Sequence, residues 1–285
     1  MKQQITKATV WLSLLALALS LSGCAEIMHD TPISIDNLPA FSGQPYIELN
    51  GNVPLFTEEE LSAIAFEDYA PLDILGRCGA AVASVGVELM PTEDRGAIGS
   101  VKPSGWQTSK YDFVDGKYLY NRCHLIGYQL SGENANEENL ITGTRYMNTE
   151  GMLPFENEIA DYVRRTEHHV MYRVTPIFRD TELVARGVTM EAISVEDGGE
   201  GLCFYVYCYN VQPGVDIDYR TGQNHLSAEF EQGEQGEFVL NRNSRKIHRP
   251  TCNAVSNISE KNRQPYTGSL ELLLAQGYER CGECF

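Results

Sequence analysis

Three runs in the middle of the chain do most to limit its fold: His169–Phe178, Leu183–Val195 and Leu202–Val211. The first and third alternate apolar and polar side chains, the period of a strand with one face turned to a core. The turns between the runs carry Asp180 and Gly198-Gly199, so the three join as an antiparallel meander, and Pro213-Gly214 ends it. Immediately upstream, Gly151 to Thr166 reads as a helix. Met152, Phe155, Ile159, Tyr162 and Val163 fall at helical spacing on one face, with Pro154 in the first turn. The pattern predicts an α+β protein built on an antiparallel sheet.

The two ends differ from this centre. Lys2 and Lys7 precede an apolar run from Val10 to Leu21, and Leu21-Ser22-Gly23-Cys24 follows. That order is a signal peptide closing on small residues, and it resembles a bacterial lipoprotein lipobox. The resemblance implies cleavage after residue 23, lipidation of Cys24, and a mature chain tethered to the outer face of a membrane or released from it. An uncleaved signal anchor is the alternative, but the run is short for a span. Loss of Lys2 and Lys7 takes the formal charge from −17 to −19. With Cys24 lipidated, seven cysteines remain, an odd number for an oxidising compartment, so one stays free or some bind metal.

Residues 24–68 read as an acidic spacer leading into the fold, since residues 25–74 hold ten acidic side chains and no Lys or Arg. Within it Ile47 to Asn52 predicts a short strand, and Thr57-Glu58-Glu59-Glu60-Leu61 a capped helix start. The main domain is expected over 69–222. There Leu72 to Met90 holds an Ala/Val-rich strand or buried helix. Asp112 to Lys117 contains an Asp-Gly turn between two strand-like runs, a hairpin signal that makes Lys117–Leu125 the second strand. Alternation puts Arg122 and His124 on one face and Asn121 on the other.

A strand delivering a histidine, then a loop and a helix, is the outline of a ββα-metal motif. Asn121-Arg122-Cys123-His124 is similar to the Asp-Arg-Gly-His signature of the DNA/RNA non-specific endonucleases. Thr144-Arg145-Tyr146-Met147-Asn148 resembles the segment ending in that family's metal-binding asparagine, and Glu156 stands at the family's glutamate spacing. Trp106, Lys117–Glu133 and Asn139–Asn157 look like the secreted DNase branch from Gram-positive bacteria. The resemblance covers roughly Leu75 to Asp218. It implies hydrolysis of DNA, and of RNA as well, to products with 5′ phosphates. It implies His124 as general base, Asn148 as Mg²⁺ ligand and Glu156 supporting the metal through water. Arg95 sits where the family has a functional arginine, and Arg122 and Arg145 are further phosphate-binding candidates. The family's Asp is here Asn121 and its Gly is Cys123.

These residue types suit the chemistry. Phosphodiester hydrolysis needs a deprotonated water, which a neutral imidazole supplies near pH 7, and a hard cation takes oxygen ligands. Each has a plainer competitor: Asn148 as a helix cap, Glu156 as a first-turn acid favoured by the helix dipole, Arg95 as a surface ion pair. His168-His169 reads as the start of a strand, because neighbours on a strand point apart.

Charge argues against a broad nucleic-acid surface. Residues 75–223 hold 13 basic and 21 acidic side chains, so binding rests on a few arginines and the metal. After a polar linker over 223–236, residues 237–285 reverse the balance, with seven basic against five acidic. There His248, Cys252, Cys281 and Cys284 form a His-x3-Cys and Cys-x2-Cys set suited to structural zinc, and the module resembles the small metal-binding domain of the Ada type. Disulfides are the alternative reading, and Cys78 with Cys123 is a further possible pair. The basic residues Arg242, Arg245, Lys246 and Arg249 point to nucleic-acid contact or a solvated face. Two other functions fit the chain less well: a non-catalytic surface lipoprotein binding DNA, and a phosphodiesterase of small nucleotides. No protein partner is expected.

Overall fold

A computed structural model describes residues 37–231 and 233–285. The signal segment and Cys24 lie outside the described residues. Among those described, no helix is long and apolar enough to cross a membrane.

The meander forms as its alternation requires. Strands β1 (Tyr46–Glu48), β2 (Phe66–Tyr69), β3 (Ala81–Val85), β4 (Tyr120–His124), β5 (Leu140–Thr144), β6 (Val170–Ile177), β7 (Gly187–Ser194) and β8 (Cys203–Tyr209) succeed one another along the chain. Six of them make one antiparallel sheet in the order β1-β8-β7-β6-β3-β2. The Ala/Val-rich run is therefore the strand β3, not a helix. Between β4 and β5 lies a short helix, α1 (Tyr128–Ser131). Before β6 comes α2 (Leu153–Thr166), with Pro154 in its first turn as expected.

One face of the sheet forms the main core. Ala83 of β3, Tyr172 of β6, Met190 of β7 and Val206 of β8 pack with Ile159 and Val163 of α2. Full burial of an Ile or Val side chain contributes about 1.5–3 kcal/mol, so the helix's apolar stripe is sufficient to hold α2 against the sheet. Leu49, Tyr205, Tyr207 and Tyr209 form a second cluster.

Three expectations need correction. β4 does not pair with residues 110–114; its partner is β5, with His124 opposite Leu140. The Asp115-Gly116 turn does close a short hairpin: Tyr111 N–H donates to the Lys117 carbonyl at 2.9 Å and Leu119 N–H to that of Ser109 at 3.0 Å, around the bridge of Lys110 to Tyr118. Turn chemistry fixes the reversal there, but the longer ladder lies downstream. Thr57 to Glu60 makes one turn and no helix. The Glu60 carboxylate does accept from the Thr57 N–H at 2.8 Å, as a capping box would. It also binds Arg173 of β6 at 2.7 Å, and the chain leaves the turn at once. The stretch 223–236 is not plain linker either. After β9 (Val215–Ile217) it contains β10 (Asn224–Leu226), paired with β9, and the helical turn α3 (Ala228–Glu231).

The C-terminal strands β11 (Gln235–Asn241), β12 (Lys246–His248), β13 (Arg263–Ser269) and β14 (Glu279–Arg280) form a separate sheet ordered β13-β11-β12-β14. The helix α4 (Leu270–Ala275) packs its Leu270 and Leu273 with Phe238 and Ile247. Ser269 caps it, accepting from the Leu272 N–H at 3.2 Å.

Candidate active site

His124 ends β4 and is almost fully buried, 6% exposed. Its two ring nitrogens have distinct partners. Nε2 lies 2.8 Å from the carbonyl oxygen of Asn134, and Nδ1 lies 3.1 Å from a guanidinium nitrogen of Arg95. A guanidinium can only donate, so Nδ1 carries the lone pair and Nε2–H donates to the carbonyl. Burial lowers the ring's pKa from 6.5 to about 4; the Asn134 bond opposes this and the Arg95 charge reinforces it. At neutral pH the ring is thus uncharged, in a fixed tautomer, with Nδ1 as its basic atom.

Asn148 and Glu156 come from the segment that follows β5. Residues Met147–Met152 form a π-helical turn that runs directly into α2. Asn148 lies inside this turn, so the cap reading does not apply. The Cys123 thiol reaches its Oδ1 at 2.9 Å. Glu156 lies buried in the first turn of α2. Burial pushes its carboxyl up to about 7, against the opposing charge of Arg95. A Cβ on Gly127 would stand 2.8 Å from this carboxylate, so only glycine admits the approach. No hydrogen-bond donor among the described residues engages it. A buried carboxylate without donors, near an amide oxygen, suits a hydrated divalent cation of the Mg²⁺ kind.

His124, Asn148, Glu156, Arg95, Arg122 and Arg145 all line one cleft of about 690 Å³. The three arginines differ in what occupies them. Arg122 binds the carbonyls of Val101 and, at 2.8 Å, Gly99, and lies over the Trp106 ring at 4.1 Å. Arg145 is paired with Asp115 at 2.7 Å. Arg95 has no carboxylate partner at ion-pair distance among the described residues and touches His124 itself. Asn121, placed on the opposite face by alternation, also borders the cleft, and its buried Nδ2 has no hydrogen-bond partner among the described residues.

Several residues that hold the site are not evident in the sequence. Asn139 fixes the chain after His124, accepting from the Ile126 N–H at 2.9 Å and donating to its carbonyl at 3.0 Å. Asn210 of the β8 edge accepts from the Thr144 N–H at 2.8 Å. It donates to the carbonyls of Thr142 and Ala185 at 3.0 and 2.8 Å, which anchors β5. Their only advance signal is an asparagine at each end of an apolar run.

All seven described cysteines are free thiols, so Cys78 and Cys123 do not pair. Cys78 instead donates to the carbonyls of Glu137 and Leu140. In the C-terminal sheet, the ligand atoms of His248, Cys252, Cys281 and Cys284 lie within 4.8 Å of one another. The backbone N–H of Glu283 lowers the pKa of Cys281, favouring its thiolate. The His168-His169 pair forms no such cluster. His169 ends between Glu196 and Glu88, at 2.6 and 3.6 Å.

Residues 60–196 match the family model for the DNA/RNA non-specific endonucleases. Among solved structures, the chain is 27% identical to NucA from Streptococcus agalactiae with magnesium ion bound. That match covers 68% of this chain and 92% of NucA, at a TM-score of 0.59. The same protein with no metal bound matches at 0.58, with the same identity and coverage. The Sda1 nuclease with bound zinc ion is also 27% identical, covering 57% of this chain and 81% of its own at a TM-score of 0.49.

Proposed function

Since residues 60–196 are a DNA/RNA non-specific endonuclease domain, we propose that this nuclease hydrolyses phosphodiester bonds in DNA, and in RNA as well, leaving 5′ phosphates. The observation that carries the reading is the fixed tautomer of His124: a neutral ring whose Nδ1 lone pair accepts from Arg95, both side chains lining the cleft shared with Asn148 and Glu156. NucA with its magnesium ion supports Mg²⁺ as the metal. Asn148 Oδ1 would hold it, and the Glu156 carboxylate would support it through water. Bound there, Mg²⁺ would neutralise charge on the phosphate and on the departing 3′ oxygen.

The protein's own groups account for the other requirements. Nδ1 of His124 takes a proton from the attacking water while Nε2–H stays on the Asn134 carbonyl, so the ring keeps its orientation as it charges. Arg95 donates to Nδ1, and a phosphate in the cleft offers its guanidinium a stronger, charged acceptor. Moving to that acceptor would uncover the base as substrate arrives. Arg122 lines the same cleft with Nε and one Nη on backbone carbonyls, and Arg145 is neutralised by Asp115, so they rank behind Arg95 as phosphate ligands.

The zinc reading of the C-terminal cluster rests on its ligand set, one His and three Cys, and on their mutual approach. Anchoring at Cys24 on the outer face of the membrane rests on the lipobox alone. An unchanged size after globomycin treatment would remove it.

Plasmid DNA, RNA and a small phosphodiester, each with and without Mg²⁺, test the catalytic reading. His124→Ala should abolish cleavage of all three with the fold intact. Retained cleavage in that variant or in EDTA refutes the proposal. DNA binding without cleavage by the native chain would favour the non-catalytic lipoprotein instead. Turnover confined to the small substrate would favour a nucleotide phosphodiesterase.

A further inference from the structure

Five cations of the C-terminal module have no carboxylate partner at ion-pair distance among the described residues: Arg280 on β14, opposite Ile247, and, apart from it, Arg242, Arg245, Lys261 and Arg263. These last four are all exposed. The fold collects them at one end of the module. Asn241 pairs with Arg263 across β11 and β13. The Arg242 N–H continues that ladder to the Asn262 carbonyl at 2.8 Å, and Arg245 closes the turn into β12. Glu260 is the acidic neighbour in this stretch. In the nuclease domain Arg145, Arg173 and Arg186 are each held by an acid, Asp115, Glu191 and Glu182.

This end of the module also lies toward the cleft. Gln276 donates to the Phe113 carbonyl at 3.4 Å, in the turn that leads to Tyr118 of the cleft wall. Leu272 of α4 packs so closely on Gly214 that a Cβ there would meet it at 2.1 Å. Burial, then Glu150, push the Tyr146 phenol up, and the Arg245 guanidinium is near enough to oppose them. Tyr146 stands between Arg145 and Asn148 in sequence.

We propose that Arg242, Arg245, Lys261 and Arg263 bind the phosphates of a polynucleotide whose scissile bond lies in the cleft, so the module supplies the grip that the acidic nuclease domain lacks. The inference rests on the nuclease reading for the identity of the polyanion. It also gives the metal cluster a purpose. His248 ends the three-residue strand that Arg245 precedes, so a metal on His248, Cys252, Cys281 and Cys284 would fix the turn that presents the cations.

Equilibrium binding in Mg²⁺-free buffer without chelator tests this without requiring cleavage and leaves any metal on the Cys/His cluster in place. The full-length chain would be titrated onto a fluorescent 30-base-pair duplex over a range of salt, alongside a variant with all four residues changed to Ala and another with the three arginines changed to Lys. Each phosphate that a cation neutralises adds about 0.9 to the steepness with which log affinity falls against log salt. The Ala variant should therefore bind at least tenfold more weakly near physiological salt, with a slope shallower by about 3.6 if each cation meets one phosphate, while the Lys variant stays close to native. Binding unchanged in the Ala variant overturns the proposal, as does a native chain that does not bind the duplex. Equal losses in the Ala and Lys variants also overturn it, because charge is then not the cause. Native duplex affinity in an Ala variant that no longer binds phosphatidylglycerol vesicles would reassign the patch to the membrane. If the native chain cleaves nothing but its duplex binding falls in the Ala variant alone, the nuclease reading fails and the grip stands.

Discussion

The protonation state of His124 is the most direct test of the proposed base. Moving an imidazole from 6.5 to about 4 corresponds to about 3.4 kcal/mol in favour of the neutral ring, at 1.36 kcal/mol per pH unit. Burial is the larger cause, and Arg95 adds to it. The sign follows from linkage. Between pH 6.5 and 4 the unfolded chain takes up a proton that the folded chain refuses. The stability associated with this ring is therefore complete above 6.5 and lost as pH falls toward 4. NMR titration of histidine-labelled, metal-free protein should show one of the six histidines neutral down to about pH 5, protonated on Nε2. Arg95→Met should raise its pKa yet leave it below 6.5, because burial persists. A His124 that titrates near 6.5 with Arg95 in place, or one protonated on Nδ1, would refute the reasoning about both tautomer and base.

Other expectations concern the groups around it. Cys123→Gly restores the family's usual residue but removes the thiol on Asn148 and a buried side chain against Met152. It should cost about 1–2 kcal/mol in thermal unfolding and raise the Mg²⁺ concentration needed for half-maximal cleavage. Gly127→Ala drives a Cβ onto the Glu156 carboxylate, and should cut kcat at least tenfold with little change in melting temperature. Asn210→Leu strips three buried hydrogen bonds from the support of β5, a loss of about 2–4 kcal/mol in chemical denaturation. Cys281→Ser should abolish zinc retention by elemental analysis while cleavage of the small phosphodiester survives.

What can be read from the chain follows from range. The meander β6-β7-β8 is legible because alternation and short turns are local, and α2 because its stripe is. The order His124, Asn148, Glu156 is legible as a pattern, but the tautomer of His124 is not, because it depends on Arg95 and the Asn134 carbonyl meeting across a loop. The pairing of β4 escapes sequence for the same reason. Asp115-Gly116 is a strong local reversal, but it gathers only a short ladder around one bridge, whereas β5 is anchored by Asn210, just past β8 and 66 residues beyond Thr144. At Thr57 the local signal is itself realised, since the capping bond forms. A tertiary partner, Arg173, then takes the carboxylate, and no helix follows.

The π-helical turn ahead of α2 makes the site a matter of residue counting. Eight residues of uninterrupted α-helix would rotate Glu156 about 80° away from Asn148. The turn at Met147–Met152 advances through a smaller angle per residue, which cancels most of that offset and brings both side chains to the same cleft. Substitution at Thr149 or Glu150 leaves this phase alone, whereas deleting one residue there restores a regular helix and turns the two groups apart. In descendants of this sequence Thr149 and Glu150 are therefore freer to change than the length of the segment that holds them. A single-residue deletion that tightens the helix would turn the Asn148 and Glu156 side chains away from each other, and with them the pair of oxygens proposed to hold the metal.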